Sequence, residues 1–365
     1  MQNPPSPLLH PTSDSGITQT AADGVLLPEF EPNPQSSVTE NAWSENYGAP
    51  AVATAYAGNT PNPKSFFYGF WQHGCTAPWH VEQPRRITYD NEDRFRSSPV
   101  FVARSEEEQA LQARGLNRAK AIGLPIVYAP RLEQPRIGNS LLIVPTHTLA
   151  GMSLPDRSAY RRYVDEVKQF FSDFTCVAVC IHPACWENGL WLDEFRNCNI
   201  KIIKGADHRD LNALCRMRSL FSSFECVTTN GWGSHVAYAL AEGARVSIFG
   251  TKPIITLEQM QAADATWRKN ADGRKQLELQ SEQDAEKEYL HHYMRLPKDG
   301  VQNIEQGRWL IGHDNKVSRL EMRELLKEAY RGTLKQRISS YGKKFEYRSK
   351  HFLRGIWRKF QSTKT

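Results

Sequence analysis

After Gly138 the chain alternates short apolar runs with helix-forming stretches, and this alternation restricts it to few architectures. Leu141–Val144, Cys176–Ile181, Ile200–Ile203, the run that ends at Val227, and Arg245–Phe249 read as strands. Between them Pro155–Phe171, Trp186–Phe195, Asp207–Phe221 (with Asp207 as its cap) and Ser234–Ala241 read as helices. Strands that are apolar throughout, without polar alternation, are buried on both faces. Strands that alternate with helices pair in parallel, so a doubly wound α/β sheet is expected. Such sheets take ligands beyond the carboxyl ends of their strands. Polar residues collect at three of those ends: Thr146 and His147, His182 and Pro183, and Thr228 to His235.

The third of these ends is the most specific. Thr228, Thr229 and Asn230 follow the strand, and Gly231 and Gly233 let the backbone turn sharply before a helix begins at Ser234. Val236, Ala237, Leu240 and Ala241 recur at helical spacing, and Gly243 is a stop. An elbow of this kind aims amide groups and a helix N-terminus at one point, which suits an anion, a phosphate first of all. An ordinary strand-turn-helix of an α/β domain has the same residues, so the stretch alone does not decide between the two.

The rest of the chain sets the frame. With 365 residues it exceeds one comfortable domain. Residues 1–45, rich in Pro, Ser, Thr and Asn, read as an irregular or disordered segment. Residues 46–137 read as a small α/β domain with apolar runs at Ala51–Ala57, Phe66–Trp71, Val100–Ala103 and Ile126–Ala129. Within it Ser105–Arg114 reads as a helix whose Ser105 and Glu108 form a capping box. The main α/β unit spans 138–300, with a long polar helical stretch over 256–295, and a helical packing segment follows at 301–342. There Ser318–Tyr330 reads as a helix with a second box, Ser318 and Glu321. No run is apolar and long enough to span a bilayer. No basic, apolar leader opens the chain, and seven cysteines, an odd number, fit a reducing cytosol. Cys176, Cys180 and Cys185 lack a paired zinc spacing, and no D-x-D triplet is present, so no metal site is expected. Walker, G-x-G-x-x-G and G-x-S-x-G patterns are absent too, which counts against an NTPase, a classical dehydrogenase and a serine hydrolase.

The net charge of +6 is concentrated in the tail 343–365, which carries eight Lys or Arg against Glu346 alone. Phe345, Phe352, Leu353, Ile356, Trp357 and Phe360 fall near one helical face there. A basic helix with an aromatic stripe suits an anionic membrane surface, and no nucleic-acid recognition motif accompanies the charge.

Several single residues could carry chemistry. His73, beside Gly74 at the end of a strand-like run, could take a proton from a hydroxyl or be a hydrogen-bonded loop histidine. His182 could donate to a phosphoryl oxygen or simply cap a helix. His235 could reach the anion or turn into a cleft, Lys252 could pair with phosphate or be solvated, and Glu242 could hold a ribose or face water.

The order of these pieces resembles a GT-B type glycosyltransferase of bacterial surface polysaccharide (capsule or lipopolysaccharide) biosynthesis. Trp71–Gly74 is similar to the histidine-glycine loop of glycerophosphate polymerase-like transferases, and Gly123–Pro125 to the G-x-P that leads toward their second domain. His182–Pro183 resembles the HP motif of those enzymes and of GT-B transferases that use CMP-activated sugars. Thr228, Thr229 and Ser234 stand where a hydroxyl-rich phosphate motif follows, although paired serines there are two threonines and a displaced serine here. The resemblance implies two Rossmann-type domains, the N-terminal one reduced. It implies His73 as acceptor base, and His182, Thr228, Thr229 and Ser234 around the donor phosphate. Asn230, Gly231, Gly233, His235 and Lys252 complete that donor set, with Gln72, Gly74, Thr146, His147 and Glu242 as further cleft candidates. The expected activity is metal-independent and cofactor-free sugar transfer from a nucleotide donor to a polysaccharide or lipid-linked acceptor, at the cytoplasmic face of the membrane. Two alternatives remain: transfer of glycerol or ribitol phosphate from a CDP donor, and a non-catalytic assembly partner with a degenerate transferase fold.

Overall fold

The computed structural model describes residues 46–59, 69–80, 87–88, 92–131, 135–147, 156–208, 210–253 and 286–331. The segment 1–45, most of the helical stretch over 256–295 and the basic tail 343–365 lie outside the described residues. Among the described residues no helix is long and apolar enough to cross a membrane.

The protein is α/β, with two parallel sheets. The first has three short strands in the order β1-β2-β3: β1 (Phe70–Trp71), β2 (Val100–Val102) and β3 (Ala119–Ala121). The second has five, β4 (Ile137–Ile143), β5 (Cys176–Ile181), β6 (Lys201–Lys204), β7 (Phe224–Thr229) and β8 (Arg245–Ile248), in the order β6-β5-β4-β7-β8. All of its pairings are parallel, so the doubly wound sheet expected from the apolar runs is present. The order reverses at β4, where the chain leaves to one side for β5 and β6 and returns on the other for β7 and β8. Loops after β4 and β7 diverge at such a reversal and leave a crevice between them. Thr146 and His147 follow β4, and the elbow follows β7.

Leu141, Leu142 and Ile143 on β4 and Cys226 and Val227 on β7 are fully buried, as strands covered on both faces must be. One apolar core continues between the sheets, joining Trp71, Phe101 and Ile122 to Leu142, Val227 and Leu240. Helix Ala49–Tyr56 enters the same core through Val52 and Ala53. Its start is anchored by the Tyr47 amide, which donates to the His208 carbonyl at 2.7 Å.

Five local readings are refined by the structure. The helix read over Trp186–Phe195 is two, Pro183–Glu187 and Leu192–Phe195, separated where Gly189 and Trp191 take positive φ (66° and 62°). The break buries Trp191 completely and lets its indole donate to the Thr146 carbonyl at 2.9 Å. The helix read from Asp207 is Ala213–Ser223 instead, because the preceding residues form the loop that meets Tyr47 and Gly48. Its start is organised by Asp210, which accepts from the Asn212 amide at 2.9 Å and pairs with Arg216 at 2.7 Å. At helix Ser105–Ala113 the acidic cap partner is Glu107, not Glu108: Glu107 accepts from the Arg104 amide, while Glu108 accepts from the Ala121 amide. The box at Ser318 is half formed, since Ser318 Oγ accepts from the Glu321 amide but the Glu321 carboxylate pairs with Lys120. The run Ile126–Ala129 falls in a 3₁₀ turn, Pro125–Tyr128.

Candidate functional site

A cleft of about 220 Å³ opens where the carboxyl ends of β4, β5 and β7 face the loop after β1. His73 and Gly74 line it from the first sheet, and Thr146, His147 and His182 from the strand ends of the second. Gly233, Ser234 and His235 line it from the elbow. Its opposite wall is apolar, with Val144, Leu214, Met217 and Phe221, and the sequence reading missed it because these residues resemble ordinary core. Tyr47, Trp232 and Tyr238 were missed for the same reason.

Loop and elbow are bolted together. The Cys75 amide donates to Ser234 Oγ at 2.9 Å, and the Tyr238 hydroxyl donates to the His73 carbonyl at 2.9 Å. A side chain at Gly74 would meet Ser234 Oγ at 2.8 Å, so the contact needs glycine there. Ser234 begins and Tyr238 belongs to the elbow helix, Ser234–Ala241, one turn apart on the same side. The helix therefore holds the His73 backbone from two points. Trp232, at the tip of the elbow, packs with Trp79 and Tyr289 at ring distances of 5.4–5.6 Å, extending the cleft with an aromatic rim.

The imidazoles dominate the electrostatics. Of the chain's 11 histidines, four line the cleft, and a fifth, His208, acts on two of them. Burial lowers His73 to about 4, with the His208 ring adding to the effect. His182 falls to about 3 through burial and then His147, which stacks on it with centroids 4.1 Å apart. His235 falls to about 3 for the same two reasons. All three rings are neutral near pH 7, and their hydrogen bonds distinguish their roles. His182 Nδ1 accepts from the Ala184 amide at 3.2 Å as the cap of helix Pro183–Glu187, so its proton is on Nε2 and that nitrogen is a donor. His235 Nε2 lies 2.9 Å from Thr229 Oγ1, whose own proton goes to the Gly231 carbonyl.

These depressed values make stability pH-dependent. The unfolded chain binds protons near pH 6.5 that the folded rings refuse until pH 3–4, so stability is fully present above about 6.5 and falls as pH falls toward 4. Each ring contributes at most about 1.4 kcal/mol per pH unit across that window. A urea midpoint at pH 5 well below that at pH 7 is expected, with a shallower difference in His182→Gln; equal slopes in parent and variant would refute it.

Other residues of the expected donor set are elsewhere. Thr228 and Thr229 are completely buried, the former accepting from Ser247 Oγ at 2.8 Å and the latter occupied by His235 and Gly231. Asn230 is also buried: it accepts from the Thr146 amide at 2.9 Å and donates to the Thr251 carbonyl at 3.1 Å. It thus ties together the chain ends after β4, β7 and β8. Gly231 sits where a side chain would strike Thr146 and Lys252. Gln72 is buried under the loop, where its amide joins Glu107 and the Ala103 amide. Lys252 pairs with both oxygens of Glu286 at 2.6 Å, and Glu286 also accepts from the Trp232 amide at 3.1 Å. The elbow does hold an anion at that amide, but it is the chain's own carboxylate. Glu242 lies on the far side of the elbow helix, between Arg131 and Arg218. The partners of Lys252 and Glu242 are remote in sequence, and no local pattern announces them.

Among the described residues no group of three His, Cys, Asp or Glu side chains is arranged to hold a metal ion. None of the described cysteines is in a disulfide, and burial raises the Cys75 thiol to about 12, so it is no nucleophile at neutral pH.

No protein family matches the chain, and no curated protein is similar to it. Solved structures overlap with it partially. A UDP-GlcNAc 2-epimerase from Methanocaldococcus jannaschii shares 15% identity over 49% of this chain and 53% of its own, with a TM-score of 0.30. A UDP-glucosyltransferase from Polygonum tinctorium, capable of glucosylating indoxyl, shares 14% over 67% of this chain and 52% of its own, with a TM-score of 0.26. The chain thus spans about half the length of these two structures.

Proposed function

We propose that the cleft binds a nucleotide-activated sugar and that the protein transfers the sugar to a glycan or lipid-linked hydroxyl without a metal ion. One observation carries this reading: His73, from the first sheet, and His182 and the elbow, from the second, line the same cleft. In the proposed reaction the acceptor hydroxyl gives its proton to His73 as its oxygen attacks the anomeric carbon. The bond to the donor phosphate breaks, and the phosphate leaves with the electron pair. His182 Nε2–H and the opening amides of the elbow helix, Ser234 and His235, would meet the charge that develops on it. The apolar wall excludes water from one side, which strengthens those interactions. Approach of the donor's negative charge would also raise His73 from its resting value and make it a better base.

A panel of nucleotides tests the reading. A UDP- or CMP-linked sugar at 100 times its dissociation constant adds about 2.7 kcal/mol of stability, readily seen as a thermal shift. Gly233→Val should abolish that shift, because its side chain would run into the His235 ring, 2.5 Å from the Cβ position. If no nucleotide stabilises the parent protein, the reading fails. Stabilisation by CDP-glycerol alone would replace sugar transfer with polyol-phosphate transfer.

A further inference from the structure

A second cavity, about 90 Å³ in volume, lies on the other side of the elbow helix, between it and helix Ile304–Leu310. Its lining is mostly polar and its charge is unbalanced. Arg131, Arg218 and Arg308 face it with a single carboxylate, Glu242. Glu242 is already divided between Arg218, at 2.8 Å, and Arg131, at 3.3 Å. Arg308 has no carboxylate within ion-pair distance among the described residues, and His313 adds a further nitrogen to the wall.

Neighbouring groups make the excess larger. Arg136 donates to the Glu242 carbonyl at 2.5 Å, and burial and then Arg131 lower its pKa. Lys316 is lowered by burial and then by Arg218 and Arg319. Basic side chains that depress one another in a concave site are costly unless an anion joins them. A helix-stabilising role explains Arg308 alone, since it stands in the last turn of its helix, but not the convergence of Arg131 and Arg218 on one carboxylate beside it.

We infer that this cavity is a binding site for a single tetrahedral oxyanion, a free phosphate or the phosphate group of a larger ligand. Its volume of about 90 Å³ has room for an ion of that size. Guanidinium forks match phosphate oxygens in pairs, and Arg308 supplies a fork that no carboxylate among the described residues shares. Tyr238 lines both cavities and donates to the His73 carbonyl, so the bound anion is one side chain from the histidine cleft. The inference does not depend on sugar transfer, because none of these four charged residues lines the cleft.

Isothermal titration of inorganic phosphate into the full-length protein at constant ionic strength tests it, with Arg308→Gln and Arg131→Gln as variants. Both side chains reach solvent, so both variants should fold, and circular dichroism checks that they do. The expected result is saturable binding with about tenfold weaker affinity in each variant, the loss of one charge-assisted contact. A nucleoside monophosphate serves as the second probe. Equal sensitivity of both probes to Arg308→Gln assigns the site to a phosphate group whatever its source, and sensitivity of inorganic phosphate alone assigns it to the free ion. Absence of saturable phosphate binding in the parent, or an affinity in both variants equal to the parent's, overturns the inference.

Discussion

Gly307→Ala is expected to destabilise the protein by on the order of 3 kcal/mol and to lower its Tm by roughly 5 °C or more. In an exposed helix the same change stabilises by about 1 kcal/mol, because alanine restricts the unfolded chain and favours the helix. The sign reverses here because helix Ile304–Leu310 crosses the elbow helix with backbone against backbone. A Cβ at Gly307 would lie 2.2 Å from the Ala241 nitrogen and 2.5 Å from the Leu240 carbonyl carbon. Neither atom belongs to a side chain that can rotate away. Ala239 and Leu240 are fully buried, so the elbow helix cannot retreat without opening the core beneath it. Any shift would move Ser234 and Tyr238 together and loosen the His73 loop they hold. Gly138→Ala is the control: nothing lies within 4 Å of its Cβ position, and a change within about 0.5 kcal/mol is expected there. Thermal denaturation of both variants decides it, and a stabilised Gly307→Ala would mean that the two helices do not pack this closely.

The parts of this fold legible in sequence are those whose cause is local. Cys176–Ile181 is apolar throughout and forms β5 over those same residues. The elbow's glycines and the stop at Gly243 locate its helix to within a residue, since a φ of +83° at Gly243 is what glycine allows. Where a long-range partner competes, the local signal loses. Trp186–Phe195 has helical spacing, but burying Trp191 against the Thr146 carbonyl requires a break. Asp207 would cap a helix, yet its neighbours are committed to the loop that receives Tyr47. The same distinction governs the site. Histidines at strand ends are visible because topology alone puts strand ends together. The order β6-β5-β4-β7-β8, which decides which ends meet, is not written in any one segment. Thr228 and Thr229 have the composition of a phosphate motif, but they belong to the strand, and their hydroxyls satisfy Ser247 and His235 inside the protein. Charges were least legible of all: Glu286 and Arg131 claim Lys252 and Glu242 from 34 and 111 residues away.

Removing the His73 imidazole should cost about 10²–10⁴ in the rate of sugar transfer, the usual contribution of a positioned base, or roughly 3–5 kcal/mol of barrier. The loss should appear in kcat, with donor affinity nearly unchanged, because the proposed contact of His73 is with the acceptor hydroxyl rather than with the phosphate. His182→Ala should weaken donor binding as well, since its Nε2–H is read as a phosphate donor. The pH profile separates a catalytic His73 from a merely structural one. A base acts only when deprotonated, so activity is lost as pH falls through its pKa. For kcat/KM, which reports the free protein, that limb should lie near 4, where burial holds His73, and not near the 6.5 of an ordinary histidine. For kcat the limb should lie higher, because the phosphates of a bound donor favour the imidazolium. His73→Ala should abolish the limb in both. The backbone bolts to Ser234 and Tyr238 use the Cys75 amide and the His73 carbonyl, neither of which the substitution removes, so the loop should keep its place. A variant that retains the parent's rate and its acid limb would eliminate His73 as the base and leave the cleft a binding site only.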